Sequence, residues 1–388
     1  MMRLVVNALV LKGLQTGIGR YVRSLYAALE RDPHLSRRCQ VYYFDGVTLD
    51  RRMPNPADPR RWAQATAAVW KLPDAVVTAL RVVHWLRYEA ALRRWWRRER
   101  FDLYHETAFC PAALPGAVMA FNIHDLSLWR WPHTHPRERV WFNRLVFPRR
   151  IGYATHIIAV SDYVRREVLE LLGWPADRVS AILEAPAPVF WPRNRAQVDA
   201  VRRRFSLPED YLLFVGSLEP RKNLSTLLKA LRRCRVRAPL VLVGWDAWGD
   251  KGWLQRALDN DGNLRVVCTG FVDDETVAAL YSGARALVYP SLYEGFGLPI
   301  VEAMACGCPV ICSNTSAMPE VAGEAACTVD PRNPQALAEA VDRVLLDRDY
   351  RESLSKKGRA RAAQFSWRET ARQTLELFEH LSARGTSR

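Results

Sequence analysis

The segment from Val288 to Met304, VYPSLYEGFGLPIVEAM, gathers residue types suited to a charged ligand rich in hydroxyls. An apolar run ends at Tyr289-Pro290-Ser291, and a loop with Gly295 and Gly297 follows. Pro299 then stands where the first turn of a helix begins, a position at which its missing N–H costs nothing. The glycines let the main chain approach a ligand closely, and the first amides of a helix, with their partial positive charge, favour phosphate. Glu294 and Glu302 flank this amide cradle. A carboxylate repels phosphate but accepts hydrogen bonds from sugar hydroxyls. The arrangement therefore describes a ligand with hydroxyls at both ends and phosphates between, which is a nucleotide sugar. A plain helix start with a surface glutamate is the bland alternative, and the whole ordered run makes it the lesser reading.

Three other segments carry chemistry-bearing residues. In FVGSLEPRKN (214–223), an apolar run ends at Gly216-Ser217, and the adjacent cations Arg221 and Lys222 stand at a helix start. Cations beside a leaving diphosphate offset the charge that grows as a glycosidic bond breaks; a solvated helix start is the alternative. In FNIHDLSLWRWP, His124 and Asp125 immediately follow an apolar strand, a position at the ligand-facing edge of an α/β domain. A lone histidine is otherwise most often structural. In LQTGIGRYVRSL, Gly17 and Gly19 precede a helix and Arg20; a G-x-G alone is a weak phosphate signal, and a tight packing turn explains it equally. Asp273, Asp274 and Glu275 in TGFVDDETVAALYSGA, and Ser161 in IIAVSDYVRREV, read as helix caps.

These positions need strands and helices to hold them. RLVVNALVL, VMAFNI and HIIAV read as buried strands alternating with helix-like stretches such as Asp162–Leu172, the pattern of an α/β domain with a parallel sheet. APAPVFWP (185–192) marks a boundary. After it the alternation restarts with YLLFVGS, PLVLVG, LRVVCTG, ARALVYPS and CPVICS as strands. A final helix from about Trp367 groups Thr370, Thr374, Leu375, Leu377, Phe378 and Leu381 toward one side. The expected organisation is an N-terminal Rossmann-like domain over 1–190, a linker over 191–206, a C-terminal Rossmann-like domain over 207–365, and a helix over 366–388 that packs back on the first domain.

A chain of 388 residues, 49% hydrophobic and 25% charged, is long enough for two such cores and excludes a disordered or disulfide-stapled protein. Its net charge of +15 favours anionic partners. Residues 1–190 hold 28 basic and 17 acidic residues, against 28 and 24 in 191–388, so the excess lies in the first half. The eight cysteines lack zinc-site spacing and read as free thiols in a reducing compartment. No leader and no apolar stretch of roughly 20 residues stands out, so a cytoplasmic location is expected. Asp347-Arg348-Asp349 spells Asp-x-Asp but follows no apolar strand, and no metal site is expected.

Leu80–Arg100 carries seven arginines and two glutamates, with Trp85, Tyr88, Leu92 and Trp95 along one helical face. Two readings fit: an aromatic face set into an acidic membrane surface, or a core-facing stripe with a solvated arginine back.

The Glu-x7-Glu spacing of Glu294 and Glu302, taken with the other three segments, resembles family 4 retaining glycosyltransferases over nearly the whole chain. The resemblance implies a GT-B fold, two Rossmann-like doubly wound domains facing across a cleft. It places Glu294 at the donor sugar hydroxyls, Glu302 at the ribose, and the loop amides of Phe296, Gly297 and Leu298, with Gly295 and Ser291, at the sugar and diphosphate. Gly216, Ser217, Gly17 and Gly19 would also line the donor, and the backbone of Phe271 and Val272 would border the base. His124, Lys222, Arg221 and Glu294 would be catalytic, and Arg20 and Asp125 would face the acceptor. An arginine often directly follows the strand's glycine in the family; here Ser217 stands there, so the clamp is either Arg221 with Lys222 or one cation short. Glu184-Ala185-Pro186 replaces the usual Asn-Gly-Val.

What the resemblance implies is a retaining, metal-independent transfer of a hexose, mannose or rhamnose from a GDP-sugar, with no cofactor. The acceptor would be a lipid-linked glycan in surface polysaccharide (O-antigen) synthesis, met at the cytoplasmic face of the inner membrane, with no nucleic-acid partner. A nucleotide-sugar hydrolase or epimerase, or a basic nucleic-acid-binding protein, are the competing classes.

Overall fold

The apolar runs form two sheets in the chain's structure, a computed structural model that describes residues 1–13, 17–55, 69, 72–244, 252 and 264–385. Residues 14–16 of the expected first glycine turn lie outside the described residues. The first sheet holds β1 (Met2–Asn7), β2 (Cys39–Phe44), β3 (Leu49–Asp50), β4 (Leu103–Glu106), β5 (Met119–Ile123), β6 (His156–Ala159) and β7 (Val179–Ala181). Its order is β3-β2-β1-β4-β5-β6-β7, parallel except for the β2–β3 pairing. The second holds β8 (Leu212–Val215), β9 (Leu240–Val243), β10 (Val266–Gly270), β11 (Ala286–Tyr289), β12 (Val310–Ser313) and β13 (Cys327–Val329). It runs β10-β9-β8-β11-β12-β13 and is wholly parallel. Helices cover the faces of such sheets, which is why their strands are continuous in apolar residues; LLFV, LVLV and ALVY are buried almost throughout.

Each sheet belongs to its own compact unit, residues 1–184 with the chain from Trp367 onward, and Ala185–Ser366. The C-terminal helix Trp367–Gly385 is thus part of the first unit. Ala371, Leu375 and Phe378 are fully buried along one face, the Phe378 ring lies 5.0 Å from that of His105, and Arg38 forms an ion pair with Glu379. The stretch 191–206, expected as a linker, contains the helix Arg195–Phe205 within the second unit. Asn194 opens it with a capping box to Gln197, and Val198 is its buried residue, with Val201 and Phe205 half-buried at helical spacing from it.

The basic stretch lies almost wholly in the helix Asp74–Arg98. Trp85, Tyr88 and Leu92 are buried: Tyr88 packs 5.0 Å from Phe44, and Trp85 stacks on Tyr88 at 5.2 Å. Glu89 is buried beside them, paired with Arg150 at 2.7 Å and bonded by Trp85 Nε1 and the Ala113 amide. Trp85, Tyr88 and Leu92 therefore face the core, while Trp95 is half-buried and donates to the Val47 carbonyl at 3.2 Å.

Two glycine positions leave no choice of residue. Gly297 (φ +102°) turns the chain into the helix Leu298–Ala305. Gly244 (φ +146°) ends β9 so close to the end of β8 that an added Cβ would stand 1.9 Å from the Gly216 carbonyl oxygen. Gly244→Ala should therefore destabilise the second unit by about 3 kcal/mol in a denaturant titration; an unchanged midpoint would show that the contact relaxes freely.

Candidate active site

The order of the second sheet reverses between β8 and β11, and ligands of open α/β sheets bind outside the carboxyl ends of the strands at such a point. Two segments about seventy residues apart meet there. Lys222 Nζ donates to Glu294 Oε1 at 2.6 Å and to the Tyr289 hydroxyl at 2.7 Å, and that hydroxyl donates to the same carboxylate oxygen at 2.9 Å. Arg221 reaches Glu294 Oε2 at 3.3 Å while donating to the Tyr293 carbonyl and, at 2.7 Å, to Glu219.

The main chain locks this meeting in place. The Leu292 amide donates to the Arg221 carbonyl. Asn223, held left-handed at φ 59°, sends its amide nitrogen to the carbonyls of Pro290 and Pro331. The Glu294 amide donates to Ser316 Oγ. Burial opposes the ionised Glu294 carboxylate, but the charges of Lys222 and then Arg221 outweigh it and hold its pKa down at about 2. The Tyr289 hydroxyl is pushed well above the phenol range by burial and then by Glu294, so it stays a proton donor.

The cluster can receive an anion. A lysine ammonium has three N–H donors, and Tyr289 and Glu294 use two. The amides of Phe296, Gly297 and Leu298 make no hydrogen bond among the described residues, and Pro299 has none to offer. The Phe296 ring turns inward, 5.7 Å from Phe365, which leaves its amide as the usable group. Gly216 and Ser217 follow β8 beside Lys222, whose Cε is 3.7 Å from a Cβ placed on Gly216. Ser291 is buried next to the Glu294 carboxylate, and Gly295 lies in the same loop. Glu302 is fully buried, with Oε2 3.4 Å from the Tyr281 hydroxyl. Val272 is buried and Phe271 is half exposed at the end of β10, before Asp273, which caps the next helix through the Thr276 amide.

In the first unit, His124 follows β5, and its Nδ1 lies 3.2 Å from Glu184 Oε1. Asp125 accepts the Ser127 amide at 2.8 Å, which gives it a capping contact. Gly17 and Gly19 open the helix Gly17–Arg31 with Arg20 beside them, and a Cβ on Gly17 would meet nothing within 4 Å. Sequence reasoning passed over Tyr289, Glu219 and Asn223. Tyr289 is the last residue of a buried strand, where an aromatic reads as core; Glu219 and Asn223 bracket the cation pair and gave the available signal.

The acid limb of stability checks the cluster. The Glu294 pKa is depressed from its ordinary value of 4.5, so its contribution is present above pH 4.5 and lost as pH falls through about 2. Melting temperatures over that window should fall more steeply for the native protein than for Glu294→Gln; parallel profiles would mean the carboxylate is not held ionised.

Comparison with known proteins gives these features a family. The description "Glycosyl transferases group 1" matches residues 199–361, and "Glycosyl transferase 4-like domain" matches 16–183. The O-antigen chain mannosyltransferase B of Escherichia coli is 34% identical over 378 residues, covering 94% of this chain and 96% of that one. The serotype-specific mannosyltransferase WbdA of Escherichia coli is 32% identical over 238 residues, 59% of this chain and 29% of its own. The structure of HepE from Anabaena in complex with UDP and glucose shares the fold, with a TM-score of 0.70 over 98% of this chain and 100% of that one, at 16% identity. A relative this similar along almost the whole length, with family matches in both halves, makes the chain a member of the group 1 and 4-like glycosyltransferases, an enzyme of the GT-B fold.

Proposed function

We propose that this glycosyltransferase moves mannose from GDP-mannose to a hydroxyl of a lipid-linked O-antigen glycan, with retention at the anomeric carbon and without a metal. The observation that carries the reading is the convergence of Lys222, Arg221 and Glu294 beside the unbonded amides of Phe296 to Leu298. In this reading the bond between the anomeric carbon and the diphosphate breaks as the acceptor oxygen bonds to that carbon on the same face. The acceptor proton passes to the departing phosphate. Lys222 and Arg221 offset the charge growing on the diphosphate, the task a divalent metal performs elsewhere. Glu294 orients the sugar hydroxyls, Glu302 the ribose, and the backbone at Phe271 and Val272 borders the base. His124, with Gly17, Gly19, Arg20 and Asp125, serves the sugar and the acceptor. Mannose is favoured because the relative matched over 94% of this chain, and WbdA, matched over 59% of it, are named mannosyltransferases. Incubation with GDP-mannose and a lipid-linked acceptor should yield an α-mannosylated product, persisting in EDTA, with little free mannose when acceptor is omitted. Acceptor-independent release of mannose would replace this reading with a hydrolase.

A lipid-linked acceptor needs an enzyme that reaches a membrane surface, and the outward face of the Asp74–Arg98 helix supports that. Val76, Leu80, Val83 and Leu86 are 43–49% exposed along its first turns, and the exposed Arg87, Arg94, Arg97 and Arg98 continue the same face. Trp141 and Leu145 are exposed on the neighbouring helix Arg137–Arg150. Apolar side chains rimmed by arginine suit acidic headgroups. No helix among the described residues is long and apolar enough to cross a membrane. The double substitution Leu80→Ser with Val83→Ser should reduce co-sedimentation with phosphatidylglycerol vesicles several-fold; undiminished sedimentation would remove this face from the interaction.

A further inference from the structure

The first unit contains a buried hydrogen-bonded chain that ends at Tyr21, whose ring packs against His124. The Tyr26 hydroxyl lies 2.6 Å from His105 Nδ1, His105 Nε2 meets the Asn122 carbonyl oxygen at 2.5 Å, and the Asn122 amide nitrogen donates to the Tyr21 hydroxyl at 2.8 Å. Because Asn122 donates to Tyr21, its oxygen accepts from His105 Nε2–H, and His105 Nδ1 accepts from Tyr26. Burial lowers the His105 pKa to about 4, so that imidazole is neutral and its directions are fixed. The edge of the Tyr21 ring then stands against His124, centroids 4.8 Å apart and planes at 81°.

The remaining degree of freedom of the His124 imidazole is set from the other side. Its Nδ1 faces Glu184, which is 5% exposed, and the neighbouring Leu183 carbonyl is tied to the C-terminal helix by Thr370 Oγ1 at 2.7 Å. An ionised carboxylate only accepts, so Nδ1 must carry the proton in either charge state of the ring. Nε2 is buried and has no hydrogen-bond partner among the described residues. The titratable groups around the ring are Glu184, Tyr21 and, two hydrogen bonds beyond Tyr21 through Asn122, His105.

We propose that Glu184 is a positioning residue, fixing the Nδ1–H tautomer of His124 so that Nε2 is presented to a substrate hydroxyl. The proposal takes only the identity of that hydroxyl from the glycosyl-transfer reading. Glu184→Met removes the acceptor at similar volume, while Glu184→Gln keeps a carbonyl there. Nitrogen-15 side-chain spectra of the full chain, recorded where His124 is neutral, should show Nδ1–H in the native protein and in Glu184→Gln, and a gain of Nε2–H in Glu184→Met. With GDP-mannose as donor, Glu184→Met should lose about tenfold or more in kcat with KM changed less than about twofold, and Glu184→Gln should retain most activity. A Glu184→Met protein with the native tautomer and native kcat overturns the proposal. Should the native enzyme prove inactive with GDP-mannose, the donor assignment fails while the spectra still decide the role of Glu184.

Discussion

A lysine ammonium and an arginine guanidinium that are 7% and 8% exposed must have anionic or carbonyl partners, because an unpaired buried charge is strongly destabilising. In this enzyme that requirement ties together two segments far apart in sequence. Lys222 and Arg221 hold Glu294 ionised; Glu294 in turn keeps the Tyr289 hydroxyl protonated and fixes the start of the loop that runs to Gly297. The loop amides are consequently placed beside a preassembled cation cluster. An arriving diphosphate would find donors that need little reorganisation, the condition under which electrostatic stabilisation is largest.

The sheets supply the geometry. Both are built on the same order around a central reversal, and in each the chemistry-bearing residues follow strand ends: Gly216 and Ser217 after β8, Ser291 and Glu294 after β11, His124 after β5. The first unit solves a related problem with neutral groups. Tyr26, His105, Asn122 and Tyr21 satisfy one another in sequence, a satisfied polar network that rigidifies what it touches.

Much of this was legible from residue pattern. Strands such as β8, β9, β11 and β12 are short apolar runs bounded by turn residues, and Asp162–Leu172 and Leu298–Ala305 declare their starts through Ser161 and Pro299. The strands β4 and β7 were not, since LYHE and VSA carry polar residues whose partners are long-range. In the helix Arg195–Phe205 four arginines outnumber Val198, Val201 and Phe205, so the segment read as polar. The aromatic periodicity of Trp85, Tyr88 and Leu92 was visible, but periodicity identifies a face without saying what lies against it, and Phe44 and Glu89 settle that only in three dimensions. Glu184 stood out solely as a departure from the family pattern; its contact with His124 depends on the chain returning after β7.

The central claim is that Lys222 and its partners form the seat of a nucleoside diphosphate. Calorimetric titration of GDP into the native enzyme and into Lys222→Met tests it most directly. The account predicts saturable binding by the native protein and a dissociation constant at least about tenfold weaker for the variant, since a charge-assisted hydrogen bond to phosphate is lost. Equal affinities in two folded proteins would contradict it.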